Sequence, residues 1–171
     1  MRRYDLFAVI SSLTTVIICV WISINIYEAI PHIEDEITYV WQAELATEGK
    51  LTIESPECPS CFLVPFVIDL DGLRFGKYPP GWPALLSIAI RFGFRTFLNP
   101  LLAGIYVWLN YRIIGAPTGP LTGIIATILT ITSPFFLMNS STLLAHPLAL
   151  LLVVIFSLSW LDSFDATLLQ K

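Results

Sequence analysis

The chain of 171 residues is 56% hydrophobic and 13% charged, with mean hydropathy +0.76 and a formal net charge of −4. Soluble domains carry about 25% charged residues, so a core of this size cannot hide the apolar surface present, and a bilayer is the expected solvent. No cluster of Lys or Arg is present, which excludes nucleic acid as a partner.

Met1-Arg2-Arg3 is a short basic start, and the 22 residues from Leu6 to Tyr27 then pass without a charge. At about 1.5 Å per residue such a helix crosses a hydrocarbon layer of about 30 Å. A cleaved signal peptide has a shorter apolar core, of about 7–15 residues, so we expect an uncleaved first span over about 6–30. Arg2 and Arg3 place its start in the cytoplasm, and the segment 31–80 outside. Nine of the thirteen acids fall between Glu34 and Asp71, against Lys50, Arg74 and Lys77.

Within that loop, Ile37, Val40, Trp41 and Leu45 share one face of a helix that Gly49 would stop. With Tyr39 and Trp41 aboard, it is expected to lie along the interface, aromatic side down. Ser55-Pro56-Glu57-Cys58-Pro59-Ser60-Cys61 is turn-rich. Its lone CxxC lacks the second pair of a zinc site, which needs about four ligands; a small-loop disulfide and two inert thiols remain open. Cys19, inside an apolar run, reads as a packing residue. Leu63 to Leu70 reads as a short strand and Asp71-Gly72 as a turn.

Further spans are expected at about 81–95, 96–112, 118–138 and 143–161. Arg91 and Arg95 suit a cytoplasmic end, whereas alternation places Arg112 outside, against the charge rule. Gly115 to Pro120 is a tight connector. Ile113 to Leu161 contains no Asp, Glu, Lys or Arg, with a break between Ser133-Pro134 and His146-Pro147. Asp162 to Lys171 is a polar tail. The expected fold class is an all-α integral membrane protein: a single domain of about five transmembrane helices, with an external loop that carries an interfacial amphipathic helix.

Two points in the loop look like chemistry. Glu34, Asp35 and Glu36 suit the N-terminus of a helix, where acids satisfy free N–H groups and oppose the dipole, each contributing about 0.3–1 kcal/mol. The same geometry holds a carboxylate at the membrane rim, where a general base for a lipid-linked substrate must sit. Lys77 precedes Tyr78-Pro79-Pro80-Gly81-Trp82-Pro83. An external lysine is ordinarily solvated, but these prolines fix it at headgroup level, where a cation suits a lipid phosphate.

The acidic pair after the first span, the continuation Glu-Ile-Thr-Tyr-Val-Trp-Gln-Ala-Glu, and the later Gly-Leu-Arg-Phe-Gly-Lys-Tyr-Pro-Pro-Gly-Trp-Pro resemble the N-terminal portion of GT-C glycosyltransferases. The closest kinds are the dolichyl-phosphate-mannose–protein mannosyltransferases (family 39) and the aminoarabinose-transferase-like enzymes. The resemblance implies the N-terminal part of a longer transferase in the plasma membrane, which a second chain would complete. It implies an inverting transfer of a sugar from a polyprenyl-phosphate donor to a hydroxyl, with Asp35 as the base and Glu36 supporting it or helping Asp35 hold a divalent metal ion. Lys77 would neutralise the donor phosphate, and Arg74 and Tyr78 would touch phosphate or sugar. Where some relatives carry an acid before the lysine, this chain has Gly76.

The competing reading is a non-catalytic membrane protein, structural or binding lipid or a partner, with the acids as caps. A transporter would need ionisable groups at mid-membrane, for which His146 alone offers itself. Alternation puts the turn at His146 on the cytoplasmic side, far from Asp35. The same topology argues that the glycosylation sequon Asn139-Ser140-Ser141 is unused.

Overall fold

The computed structural model describes residues 3–168, with side chains over 5–160 and at Ser163. Arg2, with the basic start, and residues 169–171 of the expected polar tail lie outside the described residues. The chain is mainly helical. The α-helices are α1 (Arg3–Asn25), α2 (Glu34–Thr47), α3 (Gly81–Arg91), α4 (Arg95–Thr118), α5 (Pro120–Ile131), α6 (Pro134–Ser140) and α7 (His146–Leu168).

Between α2 and α3 the chain forms an antiparallel sheet of β1 (Ile53–Glu54), β2 (Val67–Leu70) and β3 (Leu73–Gly76), in the order β1-β3-β2. The expected turn at Asp71-Gly72 is present, both residues at positive φ, and pairs Leu70 with Leu73 and Val67 with Gly76. Arg74 is buried against the sheet. Its Nε and Nη2 donate to Asp69 at 2.9 Å each, Nη2 also to the Pro59 carbonyl at 3.3 Å, and Ser55 Oγ donates to the same carboxylate. Cys58 and Cys61 form a disulfide.

The path of the helices follows from four contacts. Ser12 Oγ donates to the Gly104 carbonyl and Arg95 to that of Ala29, so α4 runs antiparallel to α1. Asn110 bonds Thr130, so α5 turns back along α4, and Cys19 faces the Leu137 carbonyl as α6 returns toward the end of α1 that carries the loop. The α1–α4 approach needs Gly104, where a Cβ would lie 2.5 Å from Val16 Cγ2.

This path corrects the expected topology at three points. The segment 81–95 is an 11-residue helix, about 16 Å long. Trp82 at its start bonds the Leu143 carbonyl, and Asn99, near the start of α4, bonds those of Thr142 and Leu144. The chain therefore leaves and regains one neighbourhood, and α3 packs on α2. Arg95 accordingly lies at the loop end and Arg112 at the opposite end, with Asp5. Finally, the turn before His146 stands at the loop end, because the Leu143 N–H donates to Glu36. Asn139 moves with it; its side-chain amide is bonded within α6 to the Phe135 carbonyl.

Among the described residues one helix, near the N-terminus, is long and apolar enough to cross a membrane; α5 and α6, bent by 67° at their junction, make a second if taken as one span. Arg112 and two buried asparagines dilute α4, although it is 24 residues long. Helix α1 is inside out. Ala8, Ser11, Thr15, Cys19 and Ser23 face inward from α1, while Leu6, Ile10, Leu13, Ile17, Trp21 and Ile24 are exposed. Helix α5 repeats the pattern, with Gly123 and Thr127 inside and Leu121, Ile125 and Leu129 outside.

Candidate active site at the loop end

The acids that open α2 have divergent surroundings. Glu36 is 1% exposed. Its Oε2 accepts from the backbone N–H of His32 at 2.8 Å and of Ile33 at 3.1 Å, and its Oε1 from that of Leu143 at 2.5 Å. The bond to Ile33 is the acid half of a capping box. The bond to Leu143 crosses to the non-helical backbone of residues 141–145, whose carbonyls receive Trp82 and Asn99. A pocket of about 10 Å³ beside Glu36 is lined by Ser23, Tyr27, Thr96 and Thr142 among others, room for at most one water. Val40, Ala43, Trp82, Leu86, Ala89, Leu98 and Leu143 close an apolar cluster beneath. The buried face of α2 is thus Glu36, Thr38, Val40 and Ala43. Ile37 is exposed, and α2 rests on α3 instead of lying aromatic side down.

Asp35 turns the other way. It is half-buried and accepts a hydrogen bond from the Tyr78 hydroxyl. Partial burial, then this bond and the Asp35 charge, push the Tyr78 phenol above its ordinary value. The Lys77 ammonium sits 4.8 Å from the centre of the Tyr78 ring and 3.3 Å from that of Phe66, a cation–π arrangement. Asp35 and Lys77 therefore meet opposite parts of one tyrosine. Tyr39 packs on Tyr78 with ring centres 4.5 Å apart. Gln42 donates from Nε2 to the Tyr78 carbonyl, fixing the backbone just before Pro79. Gly76 makes this possible: a Cβ there would come within 2.4 Å of Gln42 Cδ. The glycine at position 76 is thus a steric fit to Gln42.

Of the expected site residues, Asp35, Tyr78 and Lys77 come together. Glu36 and Arg74 are held elsewhere, Arg74 by Asp69, whose hydrogen bond raises the guanidinium pKa while its own falls. The Asp35–Glu36 pair does not fit a divalent ion, since both oxygens of Glu36 are taken by backbone N–H groups and no cluster of three His, Cys, Asp or Glu exists among the described residues. Phe66, Thr38 and Gln42 were missed. Phe66 was accessible: counting outward from a two-residue turn at 71–72 pairs it with Lys77, and the Lys77 N–H does donate to the Phe66 carbonyl at 3.0 Å. A larger cavity, of about 560 Å³, opens at the opposite end, lined by Asp5, Tyr111, Arg112, Gly115 and Pro120 among others; Asp35, Tyr78 and Lys77 are not part of it.

No family model, curated protein or solved structure matches the chain. The reading of its function rests on the residues themselves.

Proposed function

We propose that the chain is a membrane-embedded transferase module of GT-C type, moving a sugar from a polyprenyl-phosphate donor to a hydroxyl acceptor at the outer face of the plasma membrane. The observation that carries this reading is the single tyrosine, Tyr78, with a carboxylate on its hydroxyl and an ammonium over its ring. The inside-out faces of α1 and α5 support placement in lipid, where interfaces favour small residues. In this reading α1, α4, α5–α6 and α7 cross the layer, four passages in place of five, with α2, the sheet and α3 on the outer rim and the start of α1 in the cytoplasm. A loop disulfide suits that oxidising side.

The division of labour follows from what each group has free. Asp35 keeps Oδ2 for an acceptor hydroxyl proton, while the Tyr78 bond holds Oδ1. The departing phosphate bears negative charge, and the Lys77 ammonium, exposed and resting on aromatic faces, can turn to meet it. Glu36 positions its neighbour by tying the start of α2 to residues 141–145.

The test is sugar transfer by the full protein in nanodiscs, with a radiolabelled polyprenyl-phosphate hexose. Asp35→Asn should lower turnover by about 10²–10⁴-fold, the usual contribution of a positioned base, with donor binding kept. Lys77→Ala should weaken donor binding. Full turnover by Asp35→Asn would remove Asp35 as the base. Donor binding with no transfer by wild type would favour the lipid-binding, non-catalytic reading.

A further inference from the structure

The cavity at the end of the bundle away from Asp35 and Lys77 measures about 560 Å³, within the range of small-ligand sites, about 300–1,000 Å³. It lies at the corner where α4 gives way to α5. Gly119 ends α4 at φ +97°, and Pro120 opens α5. At Gly123 the two backbones meet: a Cβ there would lie 3.0 Å from the Tyr111 carbonyl and 3.1 Å from Gly115 Cα. The wall made by Tyr111, Gly115, Gly119 and Pro120 is therefore set by backbone contact. Two side chains on the lining have donors to spare. Tyr111 is 6% exposed, yet its hydroxyl has no hydrogen-bond partner among the described residues, whereas a buried hydroxyl is ordinarily paired. Arg112 stands with its guanidinium 5.8 Å from the centre of the Trp108 ring and forms no ion pair with a carboxylate among the described residues.

We propose that this cavity binds the headgroup of an inner-leaflet phospholipid, with its phosphodiester on the Arg112 guanidinium and the Tyr111 hydroxyl. A guanidinium and a phenol beside it offer donors alone to the phosphate oxygens, and the guanidinium bond is charge-assisted. Asp5 places a carboxylate on the same lining. One negative and one positive side chain leave the lining neutral, which suits a singly charged phosphodiester better than a doubly charged phosphate monoester. The chain neighbours of the lining point to lipid as the source of that group. Leu6 follows Asp5 and is 48% exposed, and Leu121 follows Pro120 and is 69% exposed, so acyl chains can run on along the outward faces of α1 and α5. Trp108 and Tyr111 are the residue types that gather at the membrane–water interface, and basic pockets between helices on the cytoplasmic side are where lipid headgroups bind. The inference rests on the placement of the bundle in lipid and is independent of sugar transfer.

The test is native mass spectrometry of the full chain in dodecyl maltoside, titrated with dioleoylphosphatidylglycerol. Wild type should retain this lipid saturably. Arg112→Gln should weaken retention about 10- to 100-fold, the loss of a hydrogen bond to a charged group, and Tyr111→Phe should weaken it less. Ala116→Trp, at an exposed position on the lining, should displace the lipid while leaving both donors in place. Dioleoylglycerol, which has the chains without the phosphate, should not compete. Glycerophosphoglycerol, which has the phosphodiester without the chains, should compete only at far higher concentration. Equal retention by wild type and Arg112→Gln, both folded by circular dichroism, would overturn the site, as would undiminished retention by Ala116→Trp or competition by dioleoylglycerol. Glycerophosphoglycerol bound as tightly as the lipid would overturn the lipid as ligand in favour of a soluble phosphodiester. Lys77→Ala should retain the lipid like wild type. No sugar donor is present, so a failure here leaves the transferase reading standing, and a failure of sugar transfer leaves this site standing.

Discussion

At the loop end, the helices follow the rule for proteins in water. Val40, Ala43, Trp82, Leu86 and Leu98 are inside, and Glu34, Glu44, Glu48 and Lys77 are exposed. Along α1 and α5 the rule reverses: hydroxyls and a thiol are buried, and isoleucine and leucine look outward, while α4 and α7 bury Val107, Leu151 and Val154 beside Asn99 and Asn110. Several buried hydroxyls there donate to a carbonyl one turn back, as with Thr15 on the Ser11 carbonyl, Thr127 on that of Gly123 and Ser141 on that of Leu137. Aliphatic side chains outside and small or polar ones inside are the pattern that suits a solvent without hydrogen bonds, in keeping with an N-terminal helix long and apolar enough to cross a membrane. Residues 141–145 form the joint between the two regions, where the Leu143 N–H meets Glu36, and Asp35, Tyr78 and Lys77 lie on the other side of the start of α2.

The comparison breaks most directly at Ile17, in the middle of α1 and 68% exposed. In lipid, Ile17→Lys costs about 2.5–3.5 kcal/mol at a helix centre; on a face in water it would stay within about 0.5 kcal/mol. Membrane fractionation of the expressed chain should show a clear loss of the integrated fraction. An unchanged fraction would mean that the outward face of α1 does not meet lipid.

The second prediction separates the two acids. Glu36→Ala leaves the buried Leu143 N–H without its acceptor, a loss of about 1–3 kcal/mol, and removes the cap from α2. Asp35→Asn keeps a side chain that can accept from Tyr78 and should cost under about 1 kcal/mol. Thermal unfolding in detergent should therefore fall markedly for the first and little for the second. The reverse order would mean that Asp35, and not Glu36, holds the rim together.

These two acids also mark how far the sequence could be read. The helix from Glu34, its end before Gly49, the first apolar helix and the turn at Asp71-Gly72 were all legible, because each rests on local periodicity or turn chemistry. The grouping of Asp35 with Tyr78 and Lys77 was partly legible. The roles of Glu36 and Arg74 were not, since they depend on Leu143 and Asp69 being brought close by the fold. The same limit hid the course of α3, because hydropathy reports how greasy a segment is and not how far it travels. Helix α4 also passes through the expected connector to Thr118, where Gly119 at φ +97° ends it; Pro117 stands inside the last turn.

The smallest effects lie in the titrations of the rim, and they have opposite signs. The Asp69 carboxyl is held below its ordinary range, first by the Arg74 hydrogen bond. Its contribution is full above the unfolded value, about 4, and is lost as pH falls through the lowered folded value. Amide exchange at Leu73 to Phe75 should accordingly quicken in acid, and Asp69→Asn should make it fast at neutral pH. Tyr78 behaves as the mirror image. Its raised phenol keeps the proton more tightly in the folded state, so the contribution is full below about 10 and declines as pH rises beyond that. Ultraviolet titration of the six tyrosines should show a late phase, to which Tyr39 also contributes through burial and the Asp35 charge, that loses one tyrosine's amplitude in Tyr78→Phe and comes earlier in Asp35→Asn. If Tyr78→Phe leaves the amplitude of that phase unchanged, the hydroxyl is not held by Asp35, and the pairing that unites carboxylate and ammonium on one ring is lost.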